Sequence, residues 1–229
     1  VKLISLDEAK KSGLLEMVGA KLDEEFLETI QKQQLNPEAI HEVADSFKLI
    51  YTPFHGTGSR PIKEILKRIG FKNVLVVKEQ DTEDGNFPTV KSPNPEDKEG
   101  FAIAIDMAKK EDVDLIIGTD PDCDRVGAAV KTENGYRLIS GNEMGVLLLD
   151  FVCQMRRENR TMPERPVAVK TIVTTPMAEK IAAHYGVELR NVLTGFKFIG
   201  EQIGRLEKEN AAERFIFGFE ESYGYLSGS

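Results

Sequence analysis

Short apolar runs rich in β-branched residues alternate along this chain with stretches of helical periodicity. That alternation restricts the fold more than any other feature. The runs 48–52, 74–77 and 115–117 read as buried strands with a helical segment between each pair. Ser59 opens the first of these helices, Ile62, Ile65, Leu66 and Ile69 fall on one face, and Gly70 ends it. Asn94-Pro95 opens the second, which turns Phe101, Ile105 and Ala108 inward. The runs 126–131 and 136–139 flank Asn134-Gly135, a hairpin signal, and a helix from Asn142 to about residue 157 follows. After a polar, proline-bearing stretch at 159–166 the order restarts. Strands are expected at 167–173, 187–192 and 215–219, with helices opening at Thr175-Pro176 and at Phe198. A β-α-β-α-β order met twice predicts an α/β protein: two successive units with mainly parallel sheets flanked by helices.

The first 45 residues lack strands of their own. Ser5-Leu6-Asp7-Glu8 forms a capping box, a second helix is expected over 23–34, and Asn36-Pro37 starts a third. The expected division is therefore a helical connector at 1–45, an α/β domain at 46–158, and a second, truncated α/β domain at 159–229. The chain of 229 residues opens on Val1 and stops just after a loop rich in functional groups, so both ends read as cuts in a longer protein.

Hydrophobic residues make up 41% and charged residues 30%, as in an ordinary globular protein, and the formal charge of −8 weighs against nucleic acid or an anionic membrane as a partner. No apolar run spans a bilayer and no signal-peptide pattern is present, which points to the cytoplasm. Cys123 and Cys153 are expected as reduced thiols.

The chemistry concentrates in polar loops at strand ends, where open α/β sheets bind ligands. The run 113–117 leads into Gly118-Thr119-Asp120-Pro121-Asp122-Cys123-Asp124-Arg125. In an extended segment the alternation points Asp120, Asp122 and Asp124 the same way. Three converging carboxylates repel unless a cation lies between them, and oxygen-only ligands favour Mg²⁺ before Mn²⁺ or Ca²⁺. An EF-hand is excluded, because its sixth and twelfth positions would hold Arg125 and Lys131. Arg125 offers a planar donor fork suited to phosphate. Other loops carry weaker signals. Residues 52–58, with His55 and two glycines, suit either an anion cradle or a tight turn. Gly195 and Lys197 open a helix, and Lys197 either meets a phosphate or is solvated. Glu220, Glu221 and Ser222 suit sugar hydroxyls or a surface turn. Lys170, in an apolar strand, either reaches a site or snorkels to the sheet edge. The loop from 84 to 96 is long enough to pack between domains.

Together these residues resemble the α-D-phosphohexomutase superfamily of phosphoglucomutase and phosphomannomutase. Asp120 to Arg125 match its Asp-x-Asp-x-Asp-Arg loop, and Gly218, Glu220, Ser222 and Gly224 match its Gly-x-Glu-x-Ser-x-Gly loop. The resemblance covers the second domain and the first part of the third domain of a four-domain fold. The Thr-Ala-Ser-His-Asn-Pro phosphoserine loop and the terminal phosphate clamp have no match. Ser92-Pro93-Asn94-Pro95 lacks the histidine and falls in the wrong domain. The resemblance implies an isomerase that interconverts hexose 1-phosphate and hexose 6-phosphate through a phosphoserine and a bisphosphate intermediate, with glucose 1,6-bisphosphate as activator. Mg²⁺ would sit on Asp120, Asp122 and Asp124. Arg125 and Lys170 would serve catalysis, and Glu220, Ser222, Gly195 and Lys197 would bind substrate. This chain alone would be inactive, since its partners would be the missing first and fourth domains. The readings held against it are a metal-dependent sugar-phosphate binding module and another Mg²⁺ phosphoryl-transfer enzyme, such as a phosphatase or phosphopentomutase. Glucose, mannose and pentose phosphates are not distinguished.

Overall fold

The computed structural model of the chain describes residues 3–228. Three helices come first: α1 (Leu6–Lys11), α2 (Gly19–Gln31) and α3 (Pro37–Val43). Ser5 and Glu8 cap α1 reciprocally, and Asn36 accepts from Ala39 N at the start of α3.

The first sheet holds β1 (Lys48–Thr52), β2 (Asn73–Val76), β3 (Leu115–Thr119), β4 (Val126–Thr132) and β5 (Gly135–Ile139), in the order β2-β1-β3-β4-β5. The first three strands run parallel, and β4 and β5 form an antiparallel hairpin at the edge. Two helices cover opposite faces, α4 (Ser59–Arg68) and α5 (Ala102–Glu111). Strand alternation decides which residues meet them. Leu49 and Tyr51 pack with Leu66 of α4, while Ile50 faces Phe101, Ala104 and Ala108 on the α5 side.

The second sheet holds β6 (Val167–Thr171), β7 (Glu188–Val192), β8 (Phe215–Phe219) and the short β9 (Tyr225–Leu226), in the order β7-β6-β8-β9. β6, β7 and β8 are parallel, and β9 returns antiparallel. Its helices are α6 (Gly141–Glu158), α7 (Met177–Tyr185) and α8 (Phe196–Lys208). Val167 and Val169 pack with Ile199 and Leu206 of α8. On the other face Ala168 and Phe217 meet Ala178 and Ala182 of α7.

Three expectations need correction. The helix from Asn142 does not close the first unit: Leu149, Val152 and Cys153 of α6 lie in the core of the second sheet, with Phe217 and Phe219. The apolar stripe of α6 is complementary to both sheets in composition, and only packing assigns it. The unit boundary thus falls near Ser140, which caps α6, and not at 158–159. Asn94-Pro95 does not open a helix. Asn94 closes a turn by accepting from Glu96 N and Asp97 N, and helical structure begins only at Lys98. The connector also does more than join. Asp23 and Glu24 of α2 pair with Arg60 and Arg68 of α4, and Asn159 Nδ2 donates to the Leu35 carbonyl at 2.7 Å. The opening segment therefore touches both units. Among the described residues, no helix is long and apolar enough to cross a membrane.

The assignment of α6 is testable. Leu149 is fully buried, so Leu149→Ala should cost about 2–5 kcal/mol. Amide exchange should then quicken in β6 and β8 while β1 and β3 keep their protection. Faster exchange confined to the first sheet would return α6 to that unit.

Candidate functional site

β3 ends at Thr119, and the chain turns immediately. The turn, not an extended strand, brings the three aspartates together. Cys123 N donates to the Asp120 carbonyl at 3.0 Å, and Cys123 itself takes a left-handed φ of 62°. One carboxylate oxygen from each of Asp120, Asp122 and Asp124 lies within 4.8 Å of the others. Asp120 is buried and its two partners are exposed. The Cys123 thiol points away from them, towards Tyr51 and Thr119, and burial pushes its pKa up. Both cysteines are free thiols.

A second loop holds this turn in place. Thr57 donates to the Pro121 carbonyl from its N–H at 2.8 Å and from its hydroxyl at 3.0 Å. Gly56 is required here, since a Cβ added to it would stand 2.3 Å from Pro121 Cα. His55, at a left-handed φ of 64°, reaches the Thr82 carbonyl and the Thr89 hydroxyl through its two ring nitrogens. Residues 52–58 are thus a brace for the acidic turn. The donors that suggested an anion cradle are directed at the protein.

Desolvation lifts the Asp120 pKa to about 6, with the charges of Asp124 and Asp122 pushing the same way. The opposing influence is the hydrogen bond from Arg125 N to Asp120 Oδ1, at 3.0 Å. The Arg125 guanidinium lies 3.8 Å from Asp120, 3.9 Å from Asp124 and 3.7 Å from Glu96. One half-exposed arginine among these carboxylates leaves the cluster net negative. An all-oxygen donor set of this kind fits a hard divalent cation.

The other cluster forms around the end of β8. Glu220 is buried, and its Oε1 accepts from Gly195 N at 2.6 Å. This bond ties the Glu220 loop to the loop that opens α8. Gly195 supplies a donor through a backbone at φ 123°, while the Lys197 amine lies 4.9 Å over the Phe198 ring at an exposed position. Glu221 turns the other way and accepts from the hydroxyls of Thr171 and Thr174, both at 3.0 Å. Ser222 is half-buried. Lys170 neither reaches the aspartates nor snorkels out. It is 2% exposed, and its amine donates to the carbonyls of Thr171 (3.4 Å) and Thr174 (3.1 Å), with Glu179 at 3.9 Å. That geometry fixes the loop after β6.

The two clusters share one boundary. Val126 N, the residue after Arg125, donates to the carbonyl of Tyr223, the residue after Ser222, at 3.1 Å. Tyr223 takes φ 67° to present that carbonyl. The acidic turn and the Glu220 loop therefore lie side by side. Sequence reasoning assigned no role to Tyr223, Thr57 or the two threonines under Glu221, since each acts through contacts that only the fold creates.

Similarity to known proteins follows the same division. Residues 24–135 match the family model of phosphoglucomutase/phosphomannomutase alpha/beta/alpha domain II, and residues 140–229 match that of domain III. A phosphomannomutase of Mycoplasmoides pirum is 32% identical over 228 residues, covering 100% of this chain and 40% of the relative. A phosphoglucomutase of Staphylococcus saprophyticus is 40% identical over 185 residues, 80% of this chain and 33% of the relative. A solved structure assigned as a phosphomannomutase of Thermus thermophilus superposes with a TM-score of 0.67 at 20% identity, over 90% of this chain and 42% of that one. The chain thus spans less than half the length of each.

A pH experiment tests the acidic turn. A folded-state pKa near 6, above the ordinary aspartate value of about 3.9, means that the folded chain holds the proton more tightly. This contribution to stability is full below about pH 4 and is lost as pH rises through 6. Without divalent cation, the Tm difference between Asp120→Asn and wild type should grow in favour of the mutant from pH 5 to pH 7. Mg²⁺ should raise the wild-type Tm more at pH 7 than at pH 5 and leave the mutant nearly unmoved. Equal Mg²⁺ shifts at both pH values would remove Asp120 from the cation site.

Proposed function

The chain belongs to the phosphoglucomutase/phosphomannomutase family, and on that premise we propose that it supplies the cation loop and the sugar loop of a phosphohexomutase. The reaction is the interconversion of hexose 1-phosphate and hexose 6-phosphate. The whole protein, with further domains beyond these two units, carries it out. The observation that carries the reading is the Val126–Tyr223 hydrogen bond of 3.1 Å, which sets a phosphoryl-handling turn against a loop suited to hydroxyls.

Asp120, Asp122 and Asp124 would hold Mg²⁺, which when bound neutralises charge on a transferring phosphoryl group. The turn braced by Thr57 keeps the three carboxylates convergent before the ion arrives. Arg125 directs its donor fork at phosphoryl oxygens. Glu220 uses one oxygen to fix Gly195 and offers the other to a sugar hydroxyl, with Ser222 beside it. Lys197 meets the phosphate that is not being transferred. Lys170 positions the loop after β6. The phosphoryl donor is a phosphoserine from outside these 229 residues, and a hexose bisphosphate turns round between two transfers.

A sugar that reorients must be gripped by the same groups in both poses. In the full-length protein, Glu220→Gln should therefore lower kcat/KM from both the 1-phosphate and the 6-phosphate side. Loss of a charge-assisted hydrogen bond, about 1.5–3 kcal/mol, corresponds to roughly a tenfold to hundredfold fall. Ser222→Ala should act in the same sense more mildly. Kinetics in both directions beside a melting curve decide the matter. A defect on one side only would contradict reorientation, and a lower Tm with intact kinetics would reduce Glu220 to a turn residue.

A further inference from the structure

Glu96 stands in no motif, yet the fold takes trouble to place it. Asn94 accepts from Glu96 N at 3.0 Å through its side chain and from Asp97 N at 2.9 Å through its carbonyl, which fixes the turn. Pro95 then seats the turn on β4 at Gly127, two residues beyond Arg125. A Cβ at Gly127 would stand 2.7 Å from Pro95 Cβ and 2.8 Å from its carbonyl oxygen, so only glycine admits this approach. On the other side of the same short segment lies Tyr223, bonded to Val126 N. Burial holds the Tyr223 phenol above its ordinary range, and the Glu96 charge adds to that.

The consequence lies in which end of the guanidinium faces which carboxylate. Arg125 Nε faces Asp120 (3.8 Å) and Asp124 (3.9 Å), while Nη1 faces Glu96 at 3.7 Å. The two aspartates are also candidate ligands. A cation bound there draws on their charge and repels the guanidinium. Glu96 is then the one anion of the three that is free to hold Arg125. Without Glu96, the arginine collapses onto Asp120 and Asp124 and competes with the cation for them.

We propose that Glu96 is a positioning residue, holding the Arg125 guanidinium off the aspartates so that cation and arginine can occupy the turn together. The inference rests on the reading of the aspartates as a cation site. It requires Glu96 to act through contact at a set distance, not through its charge at large.

A thermodynamic cycle on Mn²⁺ affinity, measured by calorimetry on the 229-residue chain, separates these. Glu96→Gln should weaken Mn²⁺ binding about two- to fivefold, the scale of a half-exposed ion pair. Glu96→Asp keeps the charge but is one methylene too short, and it should weaken binding as Gln does. In an Arg125→Gln background neither substitution should have an effect. Wild-type affinity in Glu96→Asp, or an undiminished Glu96→Gln effect without Arg125, would overturn the proposal in favour of a plain field effect. A wild-type chain that binds no Mn²⁺ would overturn both this inference and the cation reading beneath it.

Discussion

Mutual repulsion of Asp120, Asp122 and Asp124 is the constraint around which this part of the molecule is built. Near a protein surface two unit charges about 5 Å apart repel by roughly 3 kcal/mol before salt screening. The hydrogen bond from Arg125 N and the Arg125 guanidinium 3.8 Å from Asp120 offset part of this, and the cluster keeps a net negative charge. Thr57 and Gly56 hold Pro121 and so fix the backbone from which the three side chains project. Burial of Asp120 keeps that strain in the protonation equilibrium. An all-oxygen cluster of this charge fits a hard divalent cation.

The brace reaches across both sheets. His55 ties the 52–58 loop to Thr82 and Thr89, and the loop it anchors runs on to the Asn94 turn over Gly127. From there Val126 N donates to the Tyr223 carbonyl, and the Glu220 carboxylate accepts from Gly195 N. Five polar loops from two α/β units are thus joined by hydrogen bonds and close backbone contacts.

Much of this could be read from sequence, and the failures have physical causes. Strand positions were legible because short continuous apolar runs mark strands buried on both faces: β1 and β8 fall at 48–52 and 215–219, as expected. The acidic cluster was legible because three carboxylates in five residues have few other uses. The reason for their convergence was misread, since the turn at Cys123 is set by tertiary contacts with Thr57 and not by local alternation. The placement of α6 failed for a related reason, because an amphipathic helix states that it packs but not on which sheet. Lys170 illustrates a further limit: a lysine in an apolar strand suggests chemistry, and two carbonyls of a neighbouring loop suffice to bury it. The motif match selected Glu220 over Glu221, and the threonines beneath Glu221 give it a separate structural partner.

A preformed cation site in the turn after β3 would show itself in where a bound metal lies. The most direct measurement is anomalous diffraction from crystals of the chain soaked in Mn²⁺. The strongest anomalous peak is expected within coordination distance of one oxygen each from Asp120, Asp122 and Asp124, with the Thr57–Pro121 hydrogen bonds unchanged. A strongest peak elsewhere, or three carboxylates turned apart with no peak between them, would contradict it.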